Sequence, residues 1–123
     1  MTKLFVYGTL KRGYSRAACL EGQIFVADAA TVAGYRLYDN GSYPAMIGTQ
    51  CRSVVTGELW KVDSRCLAEL DKIEGVPAVY QRVAVKLSSH PGELVQTYLY
   101  GQSLEGWRDI GCRWPAESSG DAV

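Results

Sequence analysis

Glu74 is a carboxylate in an uncomfortable position. From Ser64 to Glu74 the residues Cys66, Leu67, Leu70 and Ile73 recur at helical spacing. Glu74 follows Leu70 by four positions and Leu67 by seven, so it shares their inward face. Gly75 suits the left-handed position that ends a helix, and Pro77 bars continuation. An acid there meets the negative end of the helix dipole, has Asp71 one turn back and loses hydration, and each effect favours the neutral form. A carboxyl group prepared in this way is equipped for general acid/base catalysis. The same residue could instead be ion-paired with an arginine such as Arg82, or lie half exposed at a rim.

The second chemistry-bearing segment is Leu4-Phe5-Val6-Tyr7-Gly8-Thr9-Leu10-Lys11-Arg12-Gly13. Its apolar, β-branched and aromatic start reads as a buried strand. Gly8 and Gly13 then bracket a turn whose N–H groups lack ladder partners. Free amides at a strand exit can hold a carboxylate or a developing oxyanion. Two glycines after a strand also describe an ordinary turn. The spacing is neither that of a dinucleotide-binding loop nor that of a phosphate loop.

Taken together, Val6-Tyr7-Gly8-Thr9-Leu10-Lys11-Arg12-Gly13, Gly57-Glu58-Leu59-Trp60 and the run Leu70-Asp71-Lys72-Ile73-Glu74-Gly75-Val76-Pro77-Ala78-Val79-Tyr80-Gln81-Arg82 resemble the γ-glutamylcyclotransferase family, in its γ-glutamylamine cyclotransferase-like branch. The likeness runs from about Lys3 to Tyr100. It implies an α+β fold: a small, mixed, β-barrel-like sheet with one main helix packed on it, enclosing a cavity. It also implies an enzyme without cofactor or metal that cyclises a γ-glutamyl amine or γ-glutamyl amino acid to 5-oxoproline and releases the free amine. Glu74 maps onto the catalytic acid/base, and Tyr7, Gly8, Thr9 and Leu10 onto the loop that holds the γ-glutamyl group. Tyr80 is expected to border the cavity, and Tyr43, beside Pro44, resembles a feature near the pocket. Where the branch often carries an asparagine-histidine pair, this chain has Ser15-Arg16, a departure at what the resemblance implies is the pocket entrance, which bears on the leaving group. A non-catalytic binding module for a γ-glutamyl-like ligand is the alternative, and an interaction protein using a Trp107/Trp114 surface is a third.

The positioning elements can be read locally. Strands are expected at about 3–7, 31–38, 54–62, 80–87 and 94–100, with the main helix at 64–74 and a short helical turn at 16–20. Alternation in 80–87 puts Val83, Val85 and Leu87 on one side and Tyr80, Arg82 and Lys86 on the other. Pairing with 94–100 through the Pro91-Gly92 turn brings Gln96, Tyr98 and Tyr100 onto one face. Tyr98 is therefore a candidate ligand contact, as the polar tip of a cavity wall. Residues 39–46 read as a turn-rich loop. Trp107 and Trp114 need a surface to cover, either as a lid over the cavity mouth or at a dimer contact.

Composition sets the outer bounds. A chain of 123 residues suits one domain, expected over 1–113, with 114–123 as a flexible tail. A formal net charge of zero with scattered Lys and Arg lacks the electrostatic footprint of a nucleic-acid or membrane-surface binder, leaving a small molecule as the partner and monomer or homodimer open. The N-terminal apolar run is too short for a signal peptide, and no stretch approaches the roughly 18 apolar residues of a membrane span, so the expected location is cytoplasmic. Cys19, Cys51, Cys66 and Cys112 form no C-x-x-C pair and read as reduced thiols, with no metal site expected. His90 falls in a turn, where nothing marks it as part of a nucleophilic system.

Overall fold

A computed structural model describes residues 1–116 of the chain. The elements run β1 (Thr2–Val6), a short 3₁₀ turn (Ala17–Leu20), β2 (Ile24–Ala30), β3 (Tyr35–Asp39), β4 (Pro44–Gly48), β5 (Thr56–Val62), α1 (Ser64–Ile73), β6 (Tyr80–Val85), β7 (Val95–Tyr100) and β8 (Arg108–Gly111). Five strands form one sheet in the order β2-β5-β1-β7-β6, and three form a second in the order β4-β3-β8. The fold is α+β with one main helix, as expected.

The central strand explains its own sequence. β1 pairs antiparallel with β5 (Leu4 opposite Trp60) and parallel with β7 (Leu4 opposite Gln96), so neither edge is free. Its two faces serve two cores. Leu4 and Val6 pack with Leu20, Trp60, Leu67 and Leu70 on the helix side. Phe5 and the following Tyr7 pack with Leu37, Met46, Val55 and Leu59 on the side of the second sheet. A strand buried on both faces needs an unbroken apolar run, and the segment from Leu4 to Tyr7 supplies it.

The expected barrel does not close. β2 and β6 are the two edges of the larger sheet, and beyond their ends the chain meets at one isolated bridge, Thr31 with Leu87, flanked by the Val32 N–H donating to the Lys86 carbonyl at 3.0 Å. One bridge without a ladder leaves the sheet curled but open. The strand expected at 31–38 begins only at Tyr35, because Gly34 sits at a φ of 112° and turns the chain. β2, β4 and β8 were not foreseen. β2 is an alanine-rich edge strand, β4 starts at a proline inside a stretch that reads as loop, and β8 is short and charged. The hairpin of β6 and β7 has the expected pairing, Arg82 opposite Tyr98 and Tyr80 opposite Tyr100.

The tail expected from residue 114 lies mostly outside the described residues. Trp114 is described: its ring stacks at a tilt on Tyr14, 5.2 Å between centroids, and its indole N–H donates to Asp39 at 3.2 Å.

Helix α1 has a cap at each end. The Asp63 carboxylate accepts from the Cys66 N–H at 2.7 Å, satisfying an N-terminal amide. At the other end the Val76 N–H donates to the Asp71 carbonyl at 3.0 Å and the Gly75 N–H to the Lys72 carbonyl at 3.1 Å. This is a Schellman motif, with Glu74 as the capping residue and Gly75 left-handed at a φ of 67°. A side chain at Gly75 is costly twice over, through its φ and because a Cβ would lie 3.0 Å from a Val79 methyl. Gly75→Ala is expected to destabilise the protein by about 1–2 kcal/mol, read as a fall of several degrees in the thermal unfolding midpoint.

Candidate active site

The cavity lies where β1 runs out. It has a volume of about 160 Å³. One wall is the chain leaving β1, from Tyr7 through Gly8 and Thr9 to Leu10. The end of α1 contributes Ile73, Glu74 and Gly75 to the lining. Tyr80 and Tyr98 close a side from β6 and β7, and Tyr43 and Pro44 close another from the start of β4. Every residue singled out from sequence, namely Glu74, Tyr7, Gly8, Thr9, Leu10, Tyr43, Tyr80 and Tyr98, therefore borders one hollow.

The Tyr7–Leu10 segment is fixed from beneath by a buried acid. The Glu58 carboxylate accepts from the Arg12 backbone N–H, the Arg12 Nε and the Trp60 indole N–H, each at 3.1 Å. Arg12 also reaches Asp28 at 3.3 Å and lies 3.6 Å over the Phe25 ring. The turn closes on itself when the Lys11 N–H donates to the Gly8 carbonyl at 3.0 Å. The amides of Gly8, Thr9 and Leu10 have no acceptor among the described residues. At Gly8 the absence of a side chain is a steric need, since a Cβ would fall 2.6 Å from Cγ of Pro44. The loop thus meets β4 backbone against proline ring, with amide hydrogens left over.

The tyrosines turn their hydroxyls to the frame. Tyr7 donates to the Tyr98 carbonyl at 2.7 Å and accepts from the Met46 N–H at 3.3 Å. Tyr80 donates to the Pro44 carbonyl at 2.9 Å, and Tyr98 donates to Asp71 at 2.8 Å. Burial pushes all three phenols well above their ordinary range, so they stay protonated. Their rings line the space while their tips hold its walls. Trp107, which sequence reasoning left between a lid and a dimer contact, packs edge-on against Tyr43 at 5.6 Å and tilted on Tyr100 at 4.8 Å, backing the rim of the cavity.

Glu74 is the carboxylate in this lining. Burial raises its pKa, and the positive charge of Arg16 opposes that rise. Asp71 is not a cause, contrary to the sequence reading. Its charge is taken up by Arg82, whose guanidinium donates to it at 2.9 and 3.1 Å, and by the Tyr98 hydroxyl. Arg82 also donates to Gln96. The arginine expected as a neutralising partner for Glu74 is thus committed elsewhere, and the Glu74 carboxylate has no hydrogen-bond or ion-pair partner among the described residues. Arg16, which the resemblance puts with Ser15 at the pocket entrance, is a lining residue. The Arg16 N–H donates to the Thr9 carbonyl at 2.8 Å, folding residue 16 back over the loop, and no periodicity in the sequence signals such a return.

No group of three or more His, Cys, Asp or Glu side chains that could hold a metal ion occurs among the described residues, and no described helix is long and apolar enough to cross a membrane. His90 sits in its turn, its Nδ1 2.8 Å from the Ser89 hydroxyl, and does not line the cavity.

An acid whose folded-state pKa is raised holds its proton over a pH range in which the unfolded chain has lost it, so stability falls as pH rises through that range. Glu74→Gln removes this penalty. The variant is expected to unfold at a higher temperature than the parent at neutral pH. The difference should shrink to nothing as pH drops below the ordinary glutamate value, and unfolding scans across pH would check both arms.

Comparison with known proteins gives a consistent result. The family model described as "Gamma-glutamyl cyclotransferase, AIG2-like" matches residues 4–116. The chain is 32% identical over 115 residues to the γ-glutamylaminecyclotransferase of Rattus norvegicus, covering 81% of this chain and 77% of that protein. A crystal structure of c4763, a protein specific to uropathogenic E. coli, superposes with a TM-score of 0.76 at 32% identity, covering 89% of this chain and 87% of the other. An AIG2-like protein from Mus musculus superposes with a TM-score of 0.69 at 32% identity, over 84% and 78% of the two chains.

Proposed function

The chain belongs to the γ-glutamyl cyclotransferase, AIG2-like family, and from that membership we propose that it cyclises a γ-glutamyl compound to 5-oxoproline with release of the free amine. The observation that carries the reading is Glu74, a partly buried carboxylate with no partner among the described residues, lining one small cavity together with backbone amides that have no acceptor among them.

The chemistry follows from the substrate. A γ-glutamyl compound carries its own nucleophile, the α-amine, which can close on the γ-carbonyl carbon to form a five-membered lactam. The amine is protonated near neutral pH and the amide is a poor electrophile. Glu74 as base accepts a proton from the ammonium. The freed nitrogen attacks the γ-carbon and sheds a second proton as the lactam forms, and the C–N bond to the leaving amine breaks as Glu74 passes the protons it has taken to that nitrogen, which departs as an ammonium. The proton count closes on one residue, with neither water nor an enzyme nucleophile consumed. A raised pKa suits this double duty, because an acid/base works best when its pKa lies near the working pH.

The amides of Gly8, Thr9 and Leu10 supply donors for the substrate's carboxylate or for the oxygen on which charge develops. The tyrosine rings shape the hollow so that the chain lies folded for closure. That pre-organisation lowers the barrier without a further reacting group. Rigidity is therefore a functional requirement here, and the hydroxyl ties of Tyr7, Tyr80 and Tyr98 provide it.

Glu74→Gln keeps the size of the side chain and the cap of α1 but cannot shuttle a proton. 5-Oxoproline release from a panel of γ-glutamyl amines and γ-glutamyl amino acids is expected to fall by about 100-fold or more in this variant. Retention of most of the parent rate would remove Glu74 from the reaction. Thermal stabilisation of the parent by the same compounds without product would favour a binding role instead.

A further inference from the structure

We propose that Arg16 is a specificity-determining residue of this site, selecting substrates whose leaving amine carries a carboxylate over those whose leaving amine carries a second positive charge. The inference rests on the cyclisation reading above and names the class of amine released.

Size comes first. A cavity of about 160 Å³ lies below the ~300–1,000 Å³ usual for sites that enclose a whole drug-sized ligand. It accommodates a γ-glutamyl unit and little more, so the departing amine must project through the mouth. What stands at the mouth then reads it. Of the lining residues, Ile73 is 39% exposed and Arg16 is exposed; the first offers an apolar contact and the second a charge.

Arg16 is the cation among the lining residues, as Glu74 is the acid. It lines the same cavity as Glu74 and Tyr80, near enough for its charge to oppose the rise in both their pKa values. Its backbone is held on both sides: the N–H donates to Thr9 at 2.8 Å and the carbonyl accepts from the Cys19 N–H at 3.0 Å. Its side chain is uncommitted. Arg12 is paired with Glu58 and Asp28, Arg36 with Asp109 and Arg82 with Asp71, whereas the Arg16 guanidinium has no hydrogen-bond or ion-pair partner among the described residues.

A guanidinium offers a planar pair of donors matched to a carboxylate. A leaving group ending in a carboxylate completes that pair, and one ending in an ammonium meets repulsion at the same point. Both the attraction and the penalty contribute to selection. Glu74 does not cancel the effect, since it is the less exposed of the two groups and no ion pair joins it to the Arg16 guanidinium.

Three substrates matched in size test the assignment: γ-glutamylglycine (anionic leaving group), γ-glutamylglycinamide (neutral) and mono-γ-glutamyl-ethylenediamine (cationic). The readout is kcat/KM for 5-oxoproline release, each value divided by that for the glycinamide so that any change in Glu74 itself cancels. The parent is expected to favour the acid over the amine by roughly tenfold. Arg16→Gln should flatten the series, Arg16→Lys should keep its order and Arg16→Glu should reverse it. Ratios that stay within about twofold of the parent in Arg16→Glu overturn the proposal while leaving the cyclisation intact. Absence of 5-oxoproline from all three substrates with the parent protein overturns the cyclisation reading and this inference with it.

Discussion

The hydroxyl of Tyr7 is the joint of this molecule. It donates to the Tyr98 carbonyl and receives the Met46 N–H, so one buried oxygen ties the end of β1 to β7 within the larger sheet and to β4 in the smaller one. The Tyr80 hydroxyl repeats the tie a short way off, from β6 to Pro44. Each bond contributes only about 1 kcal/mol net, but a buried polar group left unpaired costs about 1–3 kcal/mol, so the two sheets cannot slide without losing several satisfied groups together. Because the ties are made by the far ends of aromatic rings, the backbones they connect are held a ring's length apart. That stand-off is the cavity.

Charge is distributed with the same economy. Glu58 is occupied by Arg12 and Trp60, Asp71 by Arg82 and Tyr98, and Asp63 by the amide of Cys66 and the side chain of Gln23. The first fixes the loop after β1, the second joins α1 to the β6–β7 hairpin, and the third caps a helix. Among the residues that line the hollow, Glu74 and Arg16, of opposite sign, stand outside these pairings. A group kept out of the internal pairing is free to pair with something that arrives from outside, and this separates a reactive acid from a structural one more cleanly than burial does.

The parts of the fold legible in the sequence were those whose residues answer to a local rule. Glu74 followed from helical spacing plus a glycine at the left-handed stop, and the Schellman bonds around Gly75 show that rule at work. β1 and the β6–β7 hairpin followed from apolar continuity and alternation. The misses had a common cause. β4 is tied in by tyrosine hydroxyls from distant strands, and β8 lies between Trp107, which packs on Tyr43 and Tyr100, and Trp114, which bonds Asp39 of β3. None of these leaves a periodic trace. The supposed influence of Asp71 on Glu74 failed for the same reason: its partner, Arg82, is a neighbour only after the hairpin has folded onto the helix.

The parallel pairing of β1 with β7 has a bearing on how the chain assembles. Lys3 lies opposite Val95, and the buried bonds from Thr97 to Phe5 and from Tyr7 to Tyr98 span 92 and 91 residues. A strand made early in synthesis is thus flanked on one side by a strand made much later, and contacts of such sequence separation form slowly because so much chain must be ordered before they give any return. Until then the most apolar segment of the protein stays half clothed, with its β5 side covered and its β7 side waiting. The hollow, bounded by both ends of that wait, can exist only in the completed fold, so a chain still on the ribosome, or one clipped before β7, holds its unpaired acid without a chamber to use it in.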